Sequence, residues 1–150
     1  MWISFMKTRF LLLFAVLAAS FQIAQAGTAH VVDVFKNPYC GCCEKWVEHL
    51  RHGGFDVRVH EVEDTAQVRK QLDMPNQLAS CHTAKIGEYV IEGHVPASDI
   101  VRLIKSGESA KGLAVPGMVM GSPGMEGPNA VPYDAILLKN DGSTEVYARH

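Results

Sequence analysis

The chain has little sulfur and little positive charge. It holds only 4 cysteines in 150 residues, with no internal repeat and no long linker. Three of the four lie in one tetrapeptide, Cys40-Gly41-Cys42-Cys43, and Cys81 stands alone downstream. Four thiols allow three full pairings, but the adjacent Cys42 and Cys43 cannot bridge each other without strain, so a structural-disulfide framework is awkward though still open. A second C-x-x-C, the usual partner of the first in a four-thiolate zinc site, is also missing.

Lysine and arginine total 14 against 16 acids, a formal net charge of −2. The one long apolar run, Phe10 to Phe21, is broken only by Ser20 and falls short of the roughly 20 residues that span a bilayer. Lys7 and Arg9 precede it, and Ala24-Gln25-Ala26 follows with the small-x-small pattern of a cleavage site. Residues 1–26 therefore read as a cleaved secretory signal, with an uncleaved N-terminal anchor as the alternative. No cysteine follows the cleavage point, which disfavours a lipoprotein. Cleavage leaves residues 27–150 as a single domain with no membrane attachment. Losing Lys7 and Arg9 takes the net charge to −4, and nothing basic is left to grip a nucleic acid. An exported chain meets an oxidising compartment, where disulfides persist.

Residues 31–35 read as a buried central strand. Asn37-Pro38-Tyr39 turns the chain into the cysteine cluster. Trp46, Val47 and Leu50 recur at helical spacing until Gly53-Gly54. Phe55, Val57 and Val59 alternate as a half-buried strand. Asp64 and Gln67 resemble a capping box for a helix whose apolar stripe is Val68 and Leu72, ended by Met74-Pro75. Residues 82–86 and 89–91 form a hairpin around Gly87-Glu88. Pro96 and Asp99 open a third helix with Ile100, Leu103 and Ile104 inward, closed by Gly107. This order is the thioredoxin-like plan, and the C-x-x-C falls where that plan places it, at the start of the first helix. Beyond residue 108 come a Gly/Pro/Met-rich loop and then a hairpin through Asn140-Asp141-Gly142. This tail is expected to fold against the sheet.

A thiol at a helix N-terminus faces unpaired amides and the positive end of the helix dipole, which favour thiolate, the form that is both nucleophile and metal ligand. On this fold plan Cys81 belongs to the loop before the third strand, facing the C-x-x-C. Three thiolates in four residues crowd a single ion, whereas thiolates bridging two ions relieve that crowding. Thiolate and thioether together select Cu(I). Met118, Met120 and Met125 lie in the glycine-rich loop, away from any periodic apolar stripe, and read either as loop packing or as soft ligands. His94 and His82 are candidate imidazole ligands. His49, His52 and His60 read as solvated, His30 as at most a loose ligand, and His150 as terminal. Trp46 reads as core, and Tyr39 as a shield over the cluster.

Four blocks carry a family likeness: Asn37-Pro38-Tyr39-Cys40-Gly41-Cys42-Cys43, Cys81-His82-Thr83-Ala84, Tyr89-Val90-Ile91-Glu92-Gly93-His94-Val95-Pro96 and Gly121-Ser122-Pro123-Gly124-Met125-Glu126. Together they resemble the CopG-type copper-resistance family of exported bacterial proteins. The resemblance implies a thioredoxin-like α/β fold, a periplasmic location and a cysteine-bridged cluster of copper ions used in copper redox chemistry. Carried over block by block, it implies Cys40, Cys42, Cys43, Cys81, His94, Met118 and Met125 as the metal positions. Val119-Met120 departs from the commoner family residues.

The leading expectation is an exported protein that holds Cu(I) in a multinuclear sulfur site and cycles it against Cu(II), served by an exported copper carrier or redox partner. One alternative is a metal-free thiol–disulfide oxidoreductase in which Cys40 attacks and Cys43 resolves. Another is a zinc-stabilised binding module.

Overall fold

The computed structural model describes residues 29–150. The export segment expected over residues 1–26 lies outside the described residues. Among the described residues no helix is long and apolar enough to cross a membrane.

Strand β1 (Val31–Lys36) is rich in β-branched valine, which suits a pleated surface. Its side chains alternate: Val32, Val34 and Lys36 are buried, whereas Val31, Asp33 and Phe35 are half-buried. The strand is paired on both sides, as a central strand should be, but only one of its faces is fully buried, since Asp33 on the other pairs with His60 at 2.8 Å. Helix α1 (Gly41–His52) follows, buries Cys43, Trp46, Val47 and Leu50, and ends at Gly53. Edge strand β2 (Asp56–Glu61) pairs parallel with β1. Helix α2 (Thr65–Gln71) is capped by Asp64, whose side chain accepts a 2.8 Å bond from the Ala66 N–H.

Strands β3 (His82–Ile86) and β4 (Tyr89–Gly93) form the expected hairpin. Strand β3 also pairs antiparallel with β1. Helix α3 (Ala97–Ser106) buries Ile100 and Leu103 and ends at Gly107 in the left-handed region. These elements make up the thioredoxin-like core, with helices flanking a mixed sheet.

The tail adds three strands, β5 (Ala110–Val115), β6 (Asp134–Lys139) and β7 (Thr144–Arg149), giving one sheet in the order β2-β1-β3-β4-β5-β6-β7. Sequence reading found the β6–β7 hairpin and missed β5. Two alanines and a glycine in Ala110–Val115 carry weak strand propensity. The glycine is what the pairing needs. A Cβ on Gly112 would overlap the Val90 carbonyl on β4, its parallel neighbour. The tail therefore extends the sheet at its edge instead of lying on a face. The core gathers Val32, Val34, Trp46, Leu50, Ile91, Ile100, Leu103, Leu113 and Leu137, all at most 1% exposed.

Candidate metal centre

Asn37 builds the turn into α1: its Oδ1 accepts from the Tyr39 N–H at 2.9 Å, and its carbonyl accepts from the Cys40 N–H at 3.1 Å. Cys40 then sits at the N-cap, with Cys42 and Cys43 in the first helical turn. Cys40 and Cys43 are joined in a disulfide, and Cys42 and Cys81 are free thiols. Cys81, which precedes β3, lies with its Sγ 3.4 Å from Cys43 Sγ and 3.9 Å from Cys42 Sγ, while Cys40 and Cys42 sulfurs are 3.5 Å apart. All four sulfurs lie within 4.8 Å of one another and could hold a metal ion. Two segments about 40 residues apart thus meet at one point.

Cys81 also joins a second group, with His82 and His94. The protons in this group follow from the partners. His94 Nδ1 lies 2.7 Å from the Pro123 carbonyl, which only accepts, so Nδ1 carries the hydrogen. Burial holds the His94 pKa below the usual imidazole value, so the ring is neutral and Nε2 is a bare lone pair. That lone pair faces Cys81 Sγ at 3.1 Å. A backbone bond that fixes one ring nitrogen and frees the other is how metal-binding histidines are oriented. His82 Nδ1 approaches the same sulfur at 3.3 Å, and His82 Nε2 is buried without a partner. Burial pushes the His82 pKa down to about 3, with His94 adding to the effect. Burial likewise pushes the Cys81 thiol up to about 12, with the neighbouring Cys42 second. Burial thus disfavours the Cys81 thiolate, and the thiol is the donor that the bare His94 Nε2 can accept from.

Trp46 floors the site. Its ring lies 4.3 Å from that of His82, and its Nε1 donates to the Val95 carbonyl at 2.9 Å. The expectation that Tyr39 shields the cluster is overturned, because Tyr39 is 93% exposed. The turn that presents Cys40 points the neighbouring ring into solvent. The methionine loop closes one side. A Cβ on Gly124 would come within 2.7 Å of the Cys42 carbonyl and 2.9 Å of the Trp46 nitrogen. Met118, though 59% exposed, lines a cavity of about 280 Å³ with Cys81, Ser80, Ala79 and Gly117. The methyl end of Met120 lies against Gly127, and Met125 is half-buried in the turn it closes by donating its N–H to the Ser122 carbonyl at 2.8 Å.

A buried ion pair escaped the sequence reading. Helix α2 was expected to turn Val68 and Leu72 inward, yet Arg69 is the buried residue, paired at 2.9 Å with fully buried Glu92 on β4. His49 was read as solvated and is instead half-buried, its Nε2 accepting the Ala97 N–H at 3.0 Å.

A thioredoxin-like fold with a C-x-C-C at its first helix, a fourth thiol and two buried imidazoles defines a class: thioredoxin-fold proteins with a thiol centre able to take a metal ion. Comparison with known proteins makes the class specific. Two solved structures, "Copper resistance protein copG" in forms 2 and 1, match at 39% identity, with TM-scores of 0.77 and 0.76, covering 81% of this chain and 98% of each of theirs. The chain belongs to the CopG copper-resistance family. A family model described as a protein of unknown function, DUF411, matches residues 78–125, the stretch from Leu78 through Cys81 and His94 to Met125. Comparison with curated proteins finds no match.

Proposed function

We propose that this chain is an exported, periplasmic copper-resistance protein that takes Cu(I) as cargo. Residues 1–26 direct export, and residues 27–150 form the mature domain. Cys40, Cys42, Cys43 and Cys81 supply thiolates, His94 supplies Nε2, and Met118 and Met125 supply thioethers, with His82 and Met120 at the margin of the set. The observation that carries this reading is the convergence of four sulfurs in one group, which shares Cys81 with the oriented His94 lone pair. Thiolate, thioether and imidazole together suit Cu(I) better than a hard cation. Four sulfurs this close also favour bridging thiolates, and hence more than one ion.

The Cys40–Cys43 bridge sets a condition. A disulfide sulfur has no thiolate to offer, so full loading requires a reductant, the redox partner, to give two electrons that open the bridge into two thiolates. In the other direction, a dithiol that closes gives its two electrons to two Cu(II), releasing two protons and leaving two Cu(I). This balanced exchange is how one site could cycle the metal and serve a copper carrier or redox partner. Cys81 must also lose its proton on loading.

The test is Cys42→Ser, which leaves the bridge and the buried core alone. Copper per chain, by elemental analysis of reduced protein from the exported fraction, is expected to collapse while the circular dichroism spectrum is retained. Unchanged copper content sinks the proposal. The disulfide itself favours a second reading, thiol–disulfide exchange by Cys40 and Cys43. Insulin reduction that survives a copper chelator would establish that reading, and zinc in the purified protein would point to a zinc-stabilised module.

A further inference from the structure

No helix presents Cys81, so something else must hold it. Ser80, the residue before it, is bonded on every side. Its N–H donates to Glu92 Oε1 at 2.6 Å, and its carbonyl accepts from Arg69 Nη2 at 2.7 Å. Its hydroxyl donates to the Gly117 carbonyl. Glu92 also accepts from Arg69 Nε at 2.9 Å and, through Oε2, from the Thr83 hydroxyl at 2.6 Å. Arg69 is 5% exposed and Glu92 0%.

A buried ion pair is a poor source of stability, because desolvation offsets most of the attraction and apolar replacements are often neutral or stabilising. What such a pair supplies is a single arrangement. Here the arrangement is that of one residue's backbone: Glu92 grips the N–H of Ser80 and Arg69 grips its C=O, so the peptides on both sides of Ser80 are held. Ser80 cannot turn without breaking a charge-assisted bond. The next side chain along is Cys81. The neighbouring Gly117 N–H bonds the Ala79 carbonyl at 2.8 Å, so the start of the methionine loop hangs from the same segment.

We propose that Arg69 and Glu92 are positioning residues for the sulfur centre, holding the Ser80 peptide so that Cys81 faces Cys42, Cys43 and His94. The copper arm of the test rests on the reading of Cys81 as a metal donor; the thiol arm does not.

The double variant Arg69→Met/Glu92→Leu removes the grip and keeps the interior apolar and filled. In the metal-free full chain with the Cys40–Cys43 bridge intact, alkylation of Cys81 by iodoacetamide, followed by peptide mass spectrometry, is expected to speed up about tenfold as the bonds to Ser80 are lost. Cys42 is expected to stay within about twofold, while the thermal midpoint falls because the Ser80 N–H and C=O and the Thr83 hydroxyl lose their partners. Should the double variant not fold, Arg69→Lys keeps the charge and loses the planar fork, and Cys81 alkylation is expected to rise about threefold. In reduced protein, affinity in competition with a Cu(I) chelator is expected to fall about 10- to 100-fold in the double variant, the usual cost of losing an outer-shell partner.

A Cys81 rate within about twofold of wild type in whichever variant folds overturns the proposal. An equal rise at Cys42 also overturns it, since that is general loosening, whereas unchanged Cu(I) affinity in a double variant whose Cys81 rate has risen removes Cys81 from the donor set and leaves the clamp standing. A wild-type chain that takes up no Cu(I) sinks the copper reading alone, and the alkylation rates then decide the clamp by themselves.

Discussion

The two halves of the centre are held by different physics. Cys40, Cys42 and Cys43 are placed by a turn and a helix start, mainly through local bonds: Asn37 to Tyr39, Asn37 to Cys40, and Cys40 to Glu44. Cys81 and His94 are placed from afar, by Arg69 on α2, Glu92 on β4 and the Pro123 carbonyl in the methionine loop. A local scaffold survives damage elsewhere in the molecule. A scaffold built from long-range polar bonds fails as a unit, because each bond leaves a buried partner unsatisfied when it breaks. The difference teaches where the site is adjustable: its helix half is held by neighbours in sequence, and its loop half by partners that only the closed sheet brings together.

Trp46 is the joint between the halves. It sits on α1, packs its ring at a tilt against His82 of β3 and bonds the Val95 carbonyl beyond β4. Trp46→Ala is expected to give the largest loss, about 3–5 kcal/mol, from the cavity left by a fully buried ring. Chemical denaturation measures it. Because the helix half keeps its own turn, the Cys40–Cys43 bridge is expected to re-form in the variant after reduction. Failure to re-form would break the comparison drawn above.

Gly124 is a sharper probe, since it lies between the methionine loop and α1. At φ 85° and with the Cys42 carbonyl and Trp46 nitrogen under 3 Å from any added Cβ, it has no room for a side chain. Gly124→Ala is expected to cost about 1–3 kcal/mol for the left-handed backbone alone. Denaturation reads that cost, and the clash is expected to lift the loop away from the helix. His94 would then lose the Pro123 carbonyl that fixes its tautomer. Histidine NMR is expected to show His94 Nδ1–H losing its downfield position while the α1 amides stay put. Amides of α1 that shift as much as His94 would argue that the two halves are one unit.

This contrast also explains what could be read from the chain. The helix half was legible because its signals are local: an apolar strand, a turn at Asn37-Pro38, cysteines at a helix start, and Trp46, Val47 and Leu50 at helical spacing. The meeting of Cys81 with these thiols was legible only through the fold plan. The clamp was not legible at all. Arg69 lies beside Val68 on a short helix, and nothing in residue type or period tells a buried arginine from a solvated one when its partner stands 23 positions away. Strand β5 was lost for a related reason: its glycine has no value as a strand former and is required only by the neighbour it must approach. Tyr39 was misjudged because adjacency in sequence to Cys40 says nothing about which way a turn points the ring.

The smallest expected effect tests whether the helix half is as self-contained as its local bonds suggest. His49, near the end of α1, accepts the Ala97 N–H through Nε2 and so caps α3. An N–H can only donate, so that nitrogen must be a bare lone pair, and protonation would set two donors against each other. Burial holds the His49 pKa below the ordinary imidazole value, with Glu126 pulling the other way and His52 adding to the depression. The folded value therefore lies below the unfolded one. The unfolded chain binds the proton first as pH falls, so this contribution is intact above the unfolded value, about 6.5, and declines below it. The ring is half exposed and screened, so the loss is expected to stay within about 1 kcal/mol, the usual worth of a helix cap. Urea midpoints of the metal-free protein between about pH 7.5 and 5.5 measure it. His49→Gln keeps an acceptor for Ala97 but cannot titrate, and is expected to flatten that slope. A slope unchanged by the substitution would mean that other groups govern the acid side and that α1 reaches α3 through apolar packing alone.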